Sequence, residues 1–129
     1  MVSIPSKIGD NEQVKTNVED LTERIRAFAD ERDWEQFHSP KNLAMALSVE
    51  VAELMEHFMW LTGEESRSLG DEKRGEVREE VGDCIIYLLR LSDQLGIDPL
   101  EAAQQKLAAN AKKYPVDKAR GSAKKYDRL

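Results

Sequence analysis

Residues 48–60 read SVEVAELMEHFMW, and the fold is decided by where two carboxylates fall in that stretch. At about 100° per residue, Leu43, Leu47, Leu54, Phe58 and Leu61 form one apolar band, while Ala44, Met45, Val49, Ala52, Met55 and Met59 cover most of the remaining circumference. A helix that is apolar on nearly every side is expected to be buried. Glu50 and Glu53 stand beside the band, three residues apart, where like charges repel, and no Lys or Arg lies one turn away to neutralise them. A cation between them would remove the conflict.

A second stretch, EEVGDCIIYLLRL at residues 79–91, repeats the arrangement. Glu80 and Asp83 are three apart on a segment whose Val77, Val81, Cys84, Leu88, Leu91 and Leu95 keep a heptad stripe, so that stripe is the expected buried face. Two such helices packed together would bring four carboxylates face to face. Gly82, between Glu80 and Asp83, costs about 1 kcal/mol relative to alanine and implies a close approach to the backbone there.

Working outward, Ser39 and Pro40 form an N-cap and first helical residue, and the helix they open is expected to run to about Leu61. The helix carrying the second acidic pair is expected from near Glu72 to Leu95, with Gly96 as its stop. Thr16 or Asn17 caps an earlier helix with Val18, Leu21, Ile25 and Phe28 inward. Asp98 and Pro99 open a last, weaker one, marked by Leu100, Ala103, Leu107 and Ala111 and ended by Tyr114 and Pro115. The loop WEQFHSP, residues 34–40, has the aromatic and polar content of a ligand-touching segment. Residues 1–15 read as a flexible arm, 62–76 as a solvated connector, and 115–129 as a mobile basic tail. No strand alternation is present, so the expected architecture is an all-α four-helix bundle in a single domain, residues 16–114. Because four helices of one chain do not cover the second helix, a homodimer or homotetramer is expected.

The 129 residues carry a net charge of -6, with a pI near 5.0, which argues against binding polymeric nucleic acid. The charge is uneven: residues 106–129 hold eight Lys and Arg against Asp117 and Asp127, a local +6, which leaves -12 on the rest. An acidic body with a basic end suits a metal site that receives an anion. One cysteine makes no internal disulfide and no zinc knuckle, and no run has the length of a membrane span, so the expected setting is the cytoplasm.

A set of hard carboxylate oxygens selects Mg²⁺, or Mn²⁺, over zinc or copper, and bound Mg²⁺ usually shares its shell with substrate phosphates. A di-iron bundle would need Glu-x-x-His pairs on two helices; His57 does not lie three residues after a Glu, and the one such spacing, Glu35 to His38, falls in the loop at residues 34–40. His57 reads as a helix-surface histidine and Cys84 as a small core residue. Trp34, Trp60 and Tyr87 lie near the acidic motifs in sequence, with faces that suit either core packing or a stacked base.

The pattern Glu50-x-x-Glu53, a gap of 26 residues, then Glu80-x-x-Asp83 resembles the magnesium motif of the all-α nucleoside triphosphate pyrophosphohydrolases, the MazG-like superfamily. FADERDWEQFHSPKNLAMALSVEVAELMEHFMW, EEVGDCIIYLL, NAKKYP and SAKKYDRL are most similar to its dCTP pyrophosphatase branch. The resemblance implies a Mg²⁺-dependent enzyme that cleaves a nucleoside triphosphate, most of all dCTP or a 5-modified dCTP, to the monophosphate and pyrophosphate, in a dimer or dimer of dimers. It implies Glu50, Glu53, Glu80 and Asp83 as metal ligands. Trp34, His38, Trp60 and Tyr87 would sit around the base and sugar, and Asn110 and Lys113 would reach phosphates. Of the carboxylates, Glu53 is the first choice and Glu50 the second for orienting the attacking water. Two other readings of the chain are a related phosphohydrolase acting on dUTP or another nucleotide, and a non-catalytic helical interaction protein.

Overall fold

The computed structural model describes residues 16–129; the expected N-terminal arm lies outside them. All regular structure among the described residues is helical: α1 (Val18–Glu31), a 3-10 turn (Glu35–Phe37), α2 (Pro40–Glu56), a single helical turn α3 (Gly63–Ser66), α4 (Asp71–Gln94), α5 (Pro99–Lys113), α6 (Val116–Ala119) and a 3-10 turn at Tyr126–Arg128. No described helix is long and apolar enough to cross a membrane.

The helix starts follow local side-chain chemistry. The Asn17 side chain, not that of Thr16, accepts the Asp20 N–H at 2.8 Å, Ser39 accepts from Asn42 N–H, and Asp98 accepts from Leu100 and Glu101 N–H. In the expected connector, Thr62 and Glu65 form a reciprocal capping box that opens α3, a Thr-x-x-Glu signal that the charge run around it concealed. At its other end α2 stops at Glu56 rather than Leu61. There i→i+3 bonds from Phe58 N–H to Met55 and from Leu61 N–H to Phe58 tighten the chain into turns.

Contacts divide the chain after Gly96 into two compact units. In the first, α4 packs on α2 and α1 packs on α4. The α2–α4 pair is antiparallel, since Glu50 meets Glu80 and Asp83 while His57, further along α2, meets Glu76 and Lys73. Their seam is a heptad on each side: Leu43, Leu47, Glu50, Leu54 and His57 from α2, and Val77, Glu80, Cys84, Tyr87 and Leu91 from α4. This corrects the expected stripe, because Val81, Leu88 and Leu95 of α4 are exposed. With α1 on another side of α4, no described helix of this unit covers that flank.

The expected burial of α2 is also not met among the described residues. Leu43 is its one fully buried residue, and Met45, Val49 and Met55 form an exposed stripe opposite the seam, with Met59 exposed in the turn beyond the helix. The close approach expected at Gly82 is absent, for a Cβ added there meets nothing within 4 Å.

In the second unit, the Tyr114 and Tyr126 rings meet edge to face at 6.1 Å and the Lys113 ammonium lies 4.9 Å from the Tyr126 ring centre. The 115–129 segment thus returns onto the end of α5 and carries two short turns.

Candidate metal and nucleotide site

Heptad spacing puts Glu50 and Glu80 in the seam itself rather than beside it. One oxygen from each of Glu50, Glu80 and Asp83 lies within 4.8 Å of the others. Glu53 is exposed, within hydrogen-bonding reach of Glu50, and outside this converging set. The structure thus brings three of the four expected carboxylates together and leaves the fourth at their edge.

Two oxygens in the cluster, Glu50 Oε2 and Glu80 Oε2, are buried with no hydrogen-bond partner. An unsatisfied buried polar atom costs about 1–3 kcal/mol, more when charged, so the arrangement is unfavourable for the protein alone. A divalent cation fits it: the donors are hard carboxyl oxygens, they converge from two helices, and two of them have no partner in the protein. Burial, then the hydrogen bond and charge of Glu53 and the charge of Asp83, push the Glu50 carboxyl up to about 7. Burial and the charges of Glu50, Glu80 and Asp83 push the Cys84 thiol up, which works against the reactive thiolate.

The metal-free protein should therefore have a specific pH dependence. The folded value of Glu50 lies above its ordinary 4.5, so the native state holds a proton that the unfolded chain releases, and its contribution to stability is lost as pH rises. The loss begins near 4.5 and levels off above about 7. Thermal unfolding in the presence of a chelator should show Tm falling across that window, and Glu50→Gln should flatten the profile. An unchanged profile in the variant would show that Glu50 is not the group responsible.

His57, expected on the surface, is half-buried in the seam. Its Nε2 lies 3.9 Å from Glu80 Oε1, its Nδ1 lies 3.5 Å from Glu76 Oε2 and 3.4 Å from Lys73 Nζ. It stands on the outer side of the cluster, on the Glu80 oxygen that is not orphaned. The signal for it was its place one turn beyond Glu53.

The aromatic residues divide. Helix α1 ends in a Schellman motif: Asp33 takes φ 53°, the Asp33 N–H reaches the Asp30 carbonyl and the Trp34 N–H reaches the Ala29 carbonyl. The apolar contact that accompanies such a motif is Trp34 on Phe28, edge to face at 5.7 Å. Trp34 also meets His38 at 6.1 Å, so two of the expected nucleotide contacts are neighbours. Tyr87 is half-buried in the seam one turn from Asp83. Trp60 is 86% exposed and pairs with no other ring among the described residues. Asn110 and Lys113 belong to the second unit.

Sequence reasoning missed Arg90. Its side chain is 3% exposed and pairs with Glu35, with Asp93 at 3.4 Å and with His38 Nδ1 at 3.2 Å. A lone arginine in an apolar run, with an acid three residues on, was its one signal.

A model of the MazG-like family matches residues 45–129. The chain is 42% identical over 114 residues to dCTP pyrophosphatase 1 of Bos taurus, spanning 87% of this chain and 68% of that one. The corresponding protein of Homo sapiens is 41% identical over 114 residues, with 87% and 67% covered. Among solved structures, a pyrophosphatase from Archaeoglobus fulgidus DSM 4304 is 42% identical and superposes with a TM-score of 0.73 over 81% of this chain and 97% of the other. The family match contains all four carboxylates and begins after the Trp34–His38 turn.

Proposed function

The chain belongs to the MazG-like family and is a nucleotide pyrophosphohydrolase, and from that premise we propose that its substrate is dCTP or a 5-substituted dCTP, cleaved to the monophosphate and pyrophosphate. The observation that carries the chemistry is the convergence of Glu50, Glu80 and Asp83 around two orphaned oxygens. The choice of base is supported by the likeness to dCTP pyrophosphatases.

In this reading Glu50, Glu80 and Asp83 hold Mg²⁺, with Glu53 as a further ligand through its place beside Glu50. Mg²⁺ bound there would offset the negative charge of the triphosphate. Glu53, exposed next to the buried set, orients the attacking water and takes its proton. Water oxygen bonds to the α-phosphorus, the bond from that phosphorus to the bridging oxygen breaks, and pyrophosphate leaves with the electron pair. Trp34 and His38 line the base and sugar with Trp60 and Tyr87.

The active form in this reading is a four-helix arrangement completed by a second copy, in a homodimer or homotetramer. Met45 and Met55, each 57% exposed, lie on the face of α2 opposite the seam, and an apolar stripe of this kind is a common mark of a self-association surface. A single, unpaired Cys84 supports a reducing, cytoplasmic setting.

Comparing kcat/KM for dCTP, 5-methyl-dCTP, dUTP, CTP and dATP tests the substrate. dCTP and its 5-methyl form should be used alike, because one methyl group changes binding little, while an analogue that mismatches a hydrogen bond should fall by about 10²-fold or more. Equal values for dATP and dCTP would overturn the choice of base and leave the hydrolysis intact. No turnover of any triphosphate with Mg²⁺ would instead favour a helical interaction protein.

A further inference from the structure

The Trp34–His38 turn is held on α4 by a polar network that the reaction itself does not use. Arg90 lies at its centre, buried, with Nη2 on Glu35, Nη1 on Asp93 and Nε on His38 Nδ1 at 3.2 Å. Each partner is fixed in turn. Asp93 takes a two-point contact from Arg26, at 2.9 Å and 2.6 Å, and Glu35 accepts from Gln94 at 3.2 Å. The network joins α1, the turn and α4 around one guanidinium.

Such a guanidinium does more than carry charge. Arginine has donors and no acceptor, and it does not lose its proton in proteins. The atom that receives its Nε–H must therefore offer a lone pair, so His38 Nδ1 carries no hydrogen. A neutral imidazole with a bare Nδ1 has its proton on Nε2. The opposite ring orientation would set a C–H against the guanidinium, and a charged ring would set N–H against N–H. Burial and then the Arg90 charge both hold His38 below its ordinary range, with Glu35 opposing them.

We infer that Arg90 is a positioning residue, which holds His38 as the neutral Nε2–H tautomer and so presents one fixed hydrogen-bond donor from this turn to the nucleotide. The inference rests on the reading above in which the Trp34–His38 turn takes the substrate. A donor fixed before binding loses little freedom on binding, and Arg90 makes it so from 52 residues away in sequence. Glu35 shares the role by anchoring the turn to the same guanidinium.

The test has a part that needs no variant and no substrate. Long-range ¹H–¹⁵N NMR of the wild-type imidazoles should show His38 with a protonated Nε2 and a bare Nδ1 at neutral pH, and a proton on Nδ1 would overturn the proposal. Arg90→Lys keeps the charge but not the fork. In it the His38 signals should move toward a mixture of tautomers, KM for dCTP should rise about tenfold, and kcat should change little, as for the loss of one uniform hydrogen bond. A lost tautomer preference with an unchanged KM would also overturn the positioning role. A wild-type chain that hydrolyses no triphosphate, yet shows the Nε2–H form, would sink the functional reading alone, because the spectrum reports the tautomer without substrate.

Discussion

Glu80→Gln is expected to lower kcat at saturating Mg²⁺ by about 10³-fold or more, on the basis that Lewis-acid charge stabilisation contributes several kcal/mol and each 1.36 kcal/mol is tenfold. The substitution keeps the shape of the side chain and removes its charge. Glu80 supplies one of the three convergent oxygens, and its Oε2 is one of two buried atoms with no partner in the protein. Of the cations on α4, Lys73 is engaged with Glu76 and Arg90 with Glu35. The fold should survive, because the amide lowers the repulsion among the carboxylates and leaves the apolar seam residues in place. Metal-free Glu80→Gln should unfold no earlier than wild type, whereas Mn²⁺ measured by calorimetry should bind it much more weakly. Glu79→Gln is the control: Glu79 is exposed next door, carries the same charge and lies outside the cluster. If Glu80→Gln kept near-normal turnover while Glu79→Gln did not, the assignment of the site would be wrong.

A chain carrying both Met45→Lys and Met55→Lys is expected to be monomeric at micromolar concentration, where the wild type is expected to be a dimer or tetramer. The two methionines lie on the side of α2 away from α4, and each is more than half exposed in the single chain. Burying a methionine stabilises by about 1.5–3 kcal/mol relative to leaving it in water. Replacing two in one interface removes that gain in every copy and places ammonium groups against an apolar surface. Helix content should be unchanged, since neither side chain contributes to the seam and lysine is a good helix former. Light scattering on both proteins decides the matter, and a folded wild-type monomer at that concentration would refute the assembly.

What was legible in the sequence followed from interactions that act within a few residues. The caps at Asn17, Ser39 and Asp98, the stop at Gly96, and the pairing of Glu50 with Glu53 and of Glu80 with Asp83 are each readable at a spacing of three or four. The capping box at Thr62 and Glu65 was equally local and was hidden only by the charges around it. The apolar stripe of α4 was ambiguous for a different reason: Val81, Ile85 and Leu88 on one flank are as apolar as Val77, Cys84 and Leu91 in the seam, so periodicity alone did not distinguish the face that meets α2 from the face left open.

By itself the sequence determined an all-helical chain, the starts of its four long helices and the two acidic pairs, because helix formation and capping depend on neighbours in the chain. Only the tertiary structure decided that Glu50 and Glu80 share a seam, that Glu53 stands outside the converging oxygens, and that His57 lies against Glu80. It alone joined Arg90 to His38 and Glu35, 52 and 55 residues away. Those contacts depend on the rotation and register of one helix against another, which packing of the whole chain sets and which no local pattern encodes.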